Sequence, residues 1–218
     1  GGSSVFSNNT SGTALVFNNH SIVRATADGT LWSRQGATTT TVFNNLPGAR
    51  FEKTGGTGTL YWYYWTLNNE SEIALPSGGL YLNLNRVNFR DGTAFTGTGI
   101  LYLNTNAYVY AADIQSTVTI DWRGGSLSSV SGSTRTWAGS GPFLWTGGTL
   151  YGSLKLAAGV TASLSGPEIK ELAVGAELIN EGTITWTGTG NITGNSTASP
   201  GAVIRNRGTF LADTGSDI

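Results

Sequence analysis

The sequence contains no cysteine and no methionine, and only 11% of its 218 residues are charged. Without cysteine, a disulfide framework and thiolate chemistry are both excluded. The net charge of −1 provides neither a basic face for nucleic acid nor an acidic tail. No apolar run approaches the roughly 18 residues of a membrane-spanning helix. Because an initiator methionine is also absent, we expect the chain to be a processed or excised product.

The residues that are abundant indicate a folded β protein. Glycine, at 32 residues, has about twice its usual share of roughly 7%. Disordered chains can be rich in glycine, but they are poor in aromatic residues and high in net charge. This chain has 7 Trp, 8 Tyr and 8 Phe. We see no linker and no shift in composition, so we expect a single domain over residues 1–218.

One short phrase occurs repeatedly along the chain. Asn-Glu-Gly-Thr-Ile at 180–184 recurs as Asn-Arg-Gly-Thr-Phe at 206–210, and looser copies place an apolar residue before paired asparagines at Phe17, Phe43 and Leu67. Asn and Gly tolerate the left-handed backbone of a tight corner, and the β-branched or aromatic residues that follow favour a strand. Successive copies within each group are separated by about 24 to 26 residues, a period that is typical of a solenoid.

The predicted fold is all-β, a right-handed parallel β-solenoid of about nine coils. With about 24 residues in each coil and about 4.8 Å between coils, the body is expected to be about 43 Å long. Residues 168–172, which follow Pro167, are read either as a helical turn or as a corner loop. Neither end carries a polar capping unit, so we expect open strand edges on which another chain can stack.

Several of these segments resemble a known group of repeats. They are Phe-x-x-Thr-Gly-Gly-Thr-Leu-x-Gly at 143–152, the Asn-x-Gly-Thr phrases, and Phe-Asn-Asn at 43–45 followed by the segment 51–59. They resemble the repeats of large secreted bacterial surface proteins of the filamentous haemagglutinin and autotransporter-passenger kind. The resemblance implies a secreted or cell-surface location, head-to-tail continuation of the solenoid, and no catalytic residues.

A cluster of aromatic residues is the main candidate for binding. Five consecutive aromatics cannot all face inward, because successive strand residues point to opposite sides. They can form a platform for sugars, an interface with another subunit, or part of the core. The candidate residues are Tyr61, Trp62, Tyr63, Tyr64, Trp65, Tyr102, Tyr108 and Tyr110.

Catalytic and metal-binding residues are sparse. The single histidine, His20, follows an Asn-Asn pair and is read as an exposed turn residue, and one His without Cys does not make a zinc site. Solenoid enzymes that cleave polysaccharides use carboxylates and basic residues on one outer face. The candidates for such a site are Asp28, Arg86, Arg90, Asp91, Asp113, Asp121 and Arg123. Arg90 and Asp113 are expected on adjacent coils, as a site or as a surface ion pair. We predict no enzyme activity, no cofactor and no metal.

Five Asn-x-Ser/Thr sequons are candidate N-glycan sites, provided that the chain is secreted by a cell with the machinery to modify them. They begin at Asn8, Asn19, Asn69, Asn191 and Asn195. The function predicted from the sequence is structural: a unit of an extracellular filament or surface adhesin that binds copies of itself end to end. The alternative is a β-helix protein that binds or cleaves carbohydrate.

Overall fold

The structure is a computed structural model that describes residues 4–7, 15–33, 41–130, 132–194 and 200–213. Of residues 4–7 only the backbone is described. The secondary structure of these segments consists of β-strands, with no helix, so none of the described residues lies in a helix that could span a membrane.

Short strands of three to six residues account for the regular structure. The first ten are β1 (Ser4–Ser7), β2 (Val16–Asn19), β3 (Ile22–Ala25), β4 (Gly29–Ser33), β5 (Val42–Asn45), β6 (Arg50–Lys53), β7 (Thr59–Tyr63), β8 (Thr66–Asn69), β9 (Glu72–Leu75) and β10 (Gly79–Asn83). The next nine are β11 (Arg86–Phe89), β12 (Ala94–Gly97), β13 (Ile100–Asn104), β14 (Ala107–Val109), β15 (Asp113–Ser116), β16 (Thr119–Gly124), β17 (Ser126–Ser129), β18 (Arg135–Ala138) and β19 (Phe143–Trp145). The last nine are β20 (Gly148–Tyr151), β21 (Ser153–Leu156), β22 (Thr161–Leu164), β23 (Lys170–Leu172), β24 (Glu177–Asn180), β25 (Thr183–Trp186), β26 (Ile192–Gly194), β27 (Val203–Asn206) and β28 (Thr209–Ala212).

Every third strand belongs to the same sheet. Sheet 1 starts at β1 and has ten strands, whereas sheets 2 and 3 start at β2 and β3 and have nine strands each. Neighbouring strands are parallel, as in the pairs β1–β4, β2–β5 and β3–β6. After β1, the 27 remaining strands form nine sets of three, and each set is one coil. The predicted all-β parallel solenoid of about nine coils is therefore confirmed. Its right-handed coiling stays a prediction, which the strong right-handed preference of parallel crossovers supports.

The length of a coil varies along the axis. Val16 pairs with Val42 and Val42 with Thr66, so the sequence separation between paired strands is 26 at the first step and 24 at the second. The separation then falls to 20, as where Thr66 pairs with Arg86. It returns to 26 near the C-terminus, where Thr183 pairs with Thr209. The predicted period of about 24 residues lies within this range, and the additional residues of the long coils lie in the corners between strands.

The interior is filled by rows of apolar side chains, one from each coil. In sheet 1, the buried leucines Leu80 and Leu101 share a register position, as do Leu82 and Leu103. The row of Leu82 and Leu103 continues to Trp122 and Trp145, whose rings stack with centroids 4.8 Å apart. At about 25 cal/mol per Å² of buried apolar surface, such side chains supply most of the favourable free energy of folding. Because the axial spacing places each residue directly over its counterpart, a row tolerates only side chains that pack on one another.

The paired asparagines close the corner between sheets 2 and 3. Asn19, Asn45 and Asn69 end β2, β5 and β8, and all three side chains are buried. Asn19 donates through Nδ2 to Oδ1 of Asn45 at 2.9 Å, and Asn45 donates to Asn69 at 2.8 Å. Asn45 also donates to the carbonyl oxygen of Glu72 at 3.1 Å. We call these three residues the inner asparagine ladder.

Asparagine occupies two further positions in the coils. Asn18, Asn44 and Asn68 form an outer ladder on sheet 2, one residue before the inner ladder, with amide hydrogen bonds of 2.7 Å between successive members. The later phrases lie at a different corner, because Asn180 and Asn206 end strands of sheet 3 and join by a 2.7 Å hydrogen bond. The phrases therefore mark corners, as predicted, but they mark two different corners of the coil.

Glycine is required where one coil passes close to the next. Gly97 has a φ of 113°, and a Cβ there would lie 2.2 Å from the carbonyl oxygen of Leu75 on the preceding coil. Gly139 repeats the arrangement, with a φ of 106° and the Ser116 carbonyl oxygen at 2.1 Å. A larger residue would be strained in both backbone and packing.

Segment 168–172 is a corner loop that runs into β23, so the helical alternative was wrong.

We predict that Asn45→Ala destabilises the chain by about 2 to 4 kcal/mol, because it removes the hydrogen bonds that Asn45 donates to the buried Asn69 Oδ1 and to the Glu72 carbonyl oxygen, and the one that it accepts from Asn19. Its neighbour Asn44, in the outer ladder, is the matched control, and Asn44→Ala is expected to cost about 1 kcal/mol or less. Urea denaturation followed by circular dichroism measures both. Equal losses in the two variants would show that the inner ladder has no special role.

Candidate functional site

The outer surface of sheet 1 carries a continuous group of tyrosines. Tyr61, Tyr81 and Tyr102 share a register position on β7, β10 and β13, and Tyr63 lies two residues along from Tyr61. Leu80 and Leu82, on either side of Tyr81, point into the core, so the tyrosines point outward. We call Tyr61, Tyr63, Tyr81 and Tyr102 the tyrosine face.

The rings of the tyrosine face contact one another. Tyr61 and Tyr63 are parallel, with an interplanar angle of 4° and centroids 6.0 Å apart. Tyr81 lies 5.6 Å from Tyr61 and 6.2 Å from Tyr102. Distances in this range are typical of favourable aromatic pairs. Tyr61 is 40% exposed, so the face presents flat apolar surface to solvent.

Polar groups fix two of these rings. Asn104 donates through Nδ2 to the hydroxyl of Tyr81 at 2.9 Å. The guanidinium of Arg123 lies 4.3 Å from the centre of the Tyr102 ring, and its Nη2 is 2.8 Å from Oδ2 of Asp121. Burial raises the pKa of Tyr63, and the neighbouring tyrosines add to the shift, so this phenol stays protonated and neutral at physiological pH.

Two of the aromatics predicted to bind are in the core. Trp62 is fully buried and Trp65 is 5% exposed, so neither can contact a ligand in the folded chain. We expected simple alternation, which would place Trp65 on the same side as Tyr61 and Tyr63. Tyr64 interrupts it with a φ of 63°, in the left-handed region that few residues other than glycine adopt. The chain turns a corner there, and Trp65 faces inward.

The other three predicted tyrosines are on two different faces. Tyr102 belongs to the tyrosine face on sheet 1, whereas Tyr108 and Tyr110 lie on the outer side of sheet 2 and just beyond it. Arg86 joins the latter two: its guanidinium lies 4.1 Å from the centre of the Tyr108 ring, and its Nη2 donates to the Tyr110 hydroxyl at 3.1 Å. The eight aromatics therefore do not form one site.

Sequence reasoning missed Tyr81 and Tyr151 as site residues. Tyr81 completes the tyrosine face, and its signal was the recurrence of Tyr61, Tyr81 and Tyr102 at intervals of about 20 residues, the length of the short coils. Tyr151 is 49% exposed and borders a groove on sheet 2 together with Tyr108. Tyr151 lies opposite Tyr108, two coils away, because both share a register position, and the sequence alone does not give that register.

The charged residues considered for catalysis are dispersed over the surface. Arg90 pairs with Glu70, with Nη1 and Oε1 3.3 Å apart, and not with Asp113 as the coil spacing had indicated. Arg123 pairs with Asp121 within one strand. Asp91 and Asp113 are exposed, as is His20. Within the described residues, no three His, Cys, Asp or Glu side chains converge as a metal site would require.

Asp28 forms an ion pair that stabilises the corner loop after β6. The side chain of Lys53 is fully buried, and its Nζ lies 2.9 Å from Oδ1 of Asp28 and donates to the carbonyl oxygens of Gly55 and Gly56 at 3.0 and 3.2 Å. Asp28 also accepts from the backbone N–H of Gly58 at 3.0 Å. The hydrogen bond from Lys53 is the main cause of a lowered pKa of Asp28.

Lys170 is a second fully buried lysine, and it has the same role at another corner. Its Nζ donates to the carbonyl oxygens of Gly166 and Glu168 at 3.0 and 2.8 Å. Burial lowers the pKa of Lys170, and the charge of Glu168 opposes that shift. Both lysines donate hydrogen bonds to carbonyl groups of glycine-containing loops that lie outside the strands, which gives them a structural role.

The structure divides the candidate glycan sites into three groups. Asn19 and Asn69 are buried in the inner asparagine ladder, so neither amide can carry a glycan in the folded chain. Asn191 is exposed and stays a candidate. Asn8 and Asn195 lie outside the described residues.

No family model matches the chain, and neither a curated protein nor a solved structure matches it.

We predict that Asp28→Asn reduces the acid sensitivity of the fold. Because the folded pKa lies below the ordinary value of 3.8, ionised Asp28 stabilises the native state above that value, and the contribution is lost as the pH falls through the folded pKa. The variant should be less stable than the parent near neutral pH, and the difference should shrink between about pH 5 and about pH 2. Thermal melts over this range measure it.

Asp113→Asn is the control, because Asp113 is exposed and makes no ion pair with a described residue. Its melting temperature should follow that of the parent chain at each pH. A constant difference between Asp28→Asn and the parent from neutral to acid pH would contradict the assignment.

Proposed function

We propose that the chain is a structural unit of an extracellular filament or surface adhesin, and that it binds copies of itself end to end through its terminal coils. The observation that carries the proposal is the distribution of exposed apolar side chains. Six of the ten large ones among the described residues lie in the first or the last coil. They are Leu15, Val16, Phe17 and Ile22 at one end, and Val203 and Leu211 at the other. Phe17 lies in register with the buried Phe43 and faces the open end of the core, whereas Leu211 lies in register with Thr185 on the outer side of its sheet.

The backbone at each end of the solenoid also has hydrogen-bonding groups that no described strand pairs. In the described residues, β1, β2 and β3 at one end and β26, β27 and β28 at the other each pair with a strand on one side only. Such edges present unpaired N–H and C=O groups, which act as templates for further strands. A strand of the same solenoid type fits them, because it offers the same backbone spacing and an inward apolar row.

The C-terminal end also has an apolar cavity. Leu172, Ile192, Ala202, Val203 and Ile204 line a cavity of about 190 Å³ beside β26 and β27. An apolar side chain from a stacked coil would fill this space and remove apolar surface from water. The resemblance of the repeats to those of secreted bacterial surface proteins supports a location outside the cell.

Carbohydrate binding by the tyrosine face is the second candidate function. The parallel rings of Tyr61 and Tyr63 are flat and partly exposed, and such rings stack on the C–H faces of sugars. Loss of saccharide binding in Tyr61→Ala, with binding retained in Tyr151→Ala, would favour this face.

We predict that the purified chain forms filaments whose axial repeat is about 40 to 50 Å, the length of nine to ten strands spaced by about 4.8 Å. Phe17→Lys should weaken association at least about tenfold, because Phe17 lies in register with the buried Phe43 at the open end of the core, and a lysine in that joint loses hydration without gaining a partner. Negative-stain electron microscopy and light scattering over a range of concentrations measure both effects.

Ile169→Lys is the matched control, because Ile169 is 56% exposed but lies on the side of the solenoid before β23. Its filaments should resemble those of the parent chain. Monomers at all concentrations in the parent chain would contradict the proposal, as would equal loss of association in Ile169→Lys and Phe17→Lys.

A further inference from the structure

A groove on the outer side of sheet 2 lies between two tyrosines. Tyr108 on β14, Ser128 on β17 and Tyr151 on β20 occupy one register position on three successive strands. Leu127 and Leu150, which precede Ser128 and Tyr151, are buried. The three side chains therefore point outward, with the small serine between two rings.

The spacing of the strands sets the width of this tyrosine groove. Tyr108 and Tyr151 are two strands apart, which places their backbones about 10 Å from each other. Side chains in strands stand roughly perpendicular to the sheet, so the two rings form the walls and Ser128 part of the floor. The groove has a volume of about 460 Å³, within the range of pockets that bind small molecules.

A second row of side chains supplies polar groups in fixed orientations. Asn106, Ser126 and Thr149 also line the groove. Oδ1 of Asn106 accepts hydrogen bonds from both the backbone N–H and the hydroxyl of Ser126, each at 3.1 Å, so the amide group presents its N–H donors. The Thr149 hydroxyl donates to Oε2 of Glu171 at 3.0 Å, so it presents its lone pairs as an acceptor.

The Tyr108 ring is packed against another side chain on the face that points away from the groove. Arg86, on the preceding coil, covers the ring at 4.1 Å, and its Nε donates to Oδ1 of Asn88 at 2.9 Å while its Nη2 donates to the Tyr110 hydroxyl. These contacts fix one wall before any ligand arrives, which lowers the entropic cost of binding. They also occupy the guanidinium, which lies outside the lining of the groove.

We propose that the tyrosine groove binds one ring of a neutral saccharide between Tyr108 and Tyr151. Ring-to-carbon contacts of about 3.5 to 4.0 Å on each side fill about 7 to 8 Å of the gap, and a puckered sugar ring fits in the remainder. The lining side chains are uncharged, so they offer no opposite charge to an anionic ligand. The donor of Asn106 and the acceptor of Thr149 match the hydroxyl groups on the rim of a sugar, which both donate and accept.

The proposal does not depend on end-to-end assembly, because the groove lies on the side of the solenoid, in the middle coils. The test uses the full chain in calorimetric titrations with neutral hexasaccharides of β-1,4-glucose, α-1,4-glucose and β-1,4-mannose, and with a galacturonate hexasaccharide as the charged probe. Thermal melts verify that each variant is folded.

At least one neutral probe should bind, and Tyr108→Ala and Tyr151→Ala should each weaken that binding at least about tenfold. Ser128→Phe retains both walls but fills the space between them, so it should abolish binding without loss of fold. Tyr61→Ala, which alters the tyrosine face on sheet 1, should bind as the parent chain does.

Four results would overturn the proposal. They are failure of all the neutral probes to bind, unchanged binding in the two groove tyrosine variants, loss of binding in Tyr61→Ala alone, and tighter binding of the galacturonate probe than of any neutral one. Because Tyr151 is half exposed, its replacement by alanine removes a groove wall without opening the core, so this variant tests the groove and not the fold.

Discussion

The structure depends on one constraint: parallel strands stack in register along the axis, so each residue lies over its counterpart in the next coil. About 4.8 Å separates the two, which is close to the contact distance of most side chains. Residues of the same kind on successive coils therefore contact one another in rows. Apolar rows fill the interior, and a buried polar row is stable only if its members satisfy one another. The inner asparagine ladder meets this condition, because each amide has both donors and acceptors and can bond to an identical neighbour.

The same constraint explains how much of the fold could be predicted. The Asn-Asn and Asn-x-Gly-Thr phrases indicated corners at a spacing of about 24 to 26 residues, and that was sufficient to predict a parallel solenoid and its approximate number of coils. The sequence pattern did not reveal that the middle coils are shorter, with paired strands separated by only 20 in sequence. Corner loops gain or lose residues without disturbing the strands, so coil length has no strong signature in a single sequence.

The candidate sites were harder to predict than the fold, for the same reason. Rings form a site only when they share a register position, as Tyr61, Tyr81 and Tyr102 do, and the longer period inferred from the sequence misaligns them. One backbone torsion at Tyr64 was enough to place Trp65 in the core, on the side opposite to Tyr61 and Tyr63, with which simple alternation groups it. Asn19 and Asn69 matched a glycan sequon, but the ladder that buries them was not apparent from local sequence.

In a solenoid of this kind, the outer rows can change while the inner rows keep the fold. Stacking in register therefore supports both the stability and the proposed sites, and it can be measured along the axis. Since the chain has no cysteine, spin labels can be placed in pairs at Thr59 on one coil and at Thr161, Thr183 or Thr209 on later coils. These threonines occupy strands five, six and seven steps from β7 in sheet 1. Double electron–electron resonance should give distances of about 24, 29 and 34 Å, an increment of one strand spacing per coil. Distances that do not rise by this step would contradict the in-register stack.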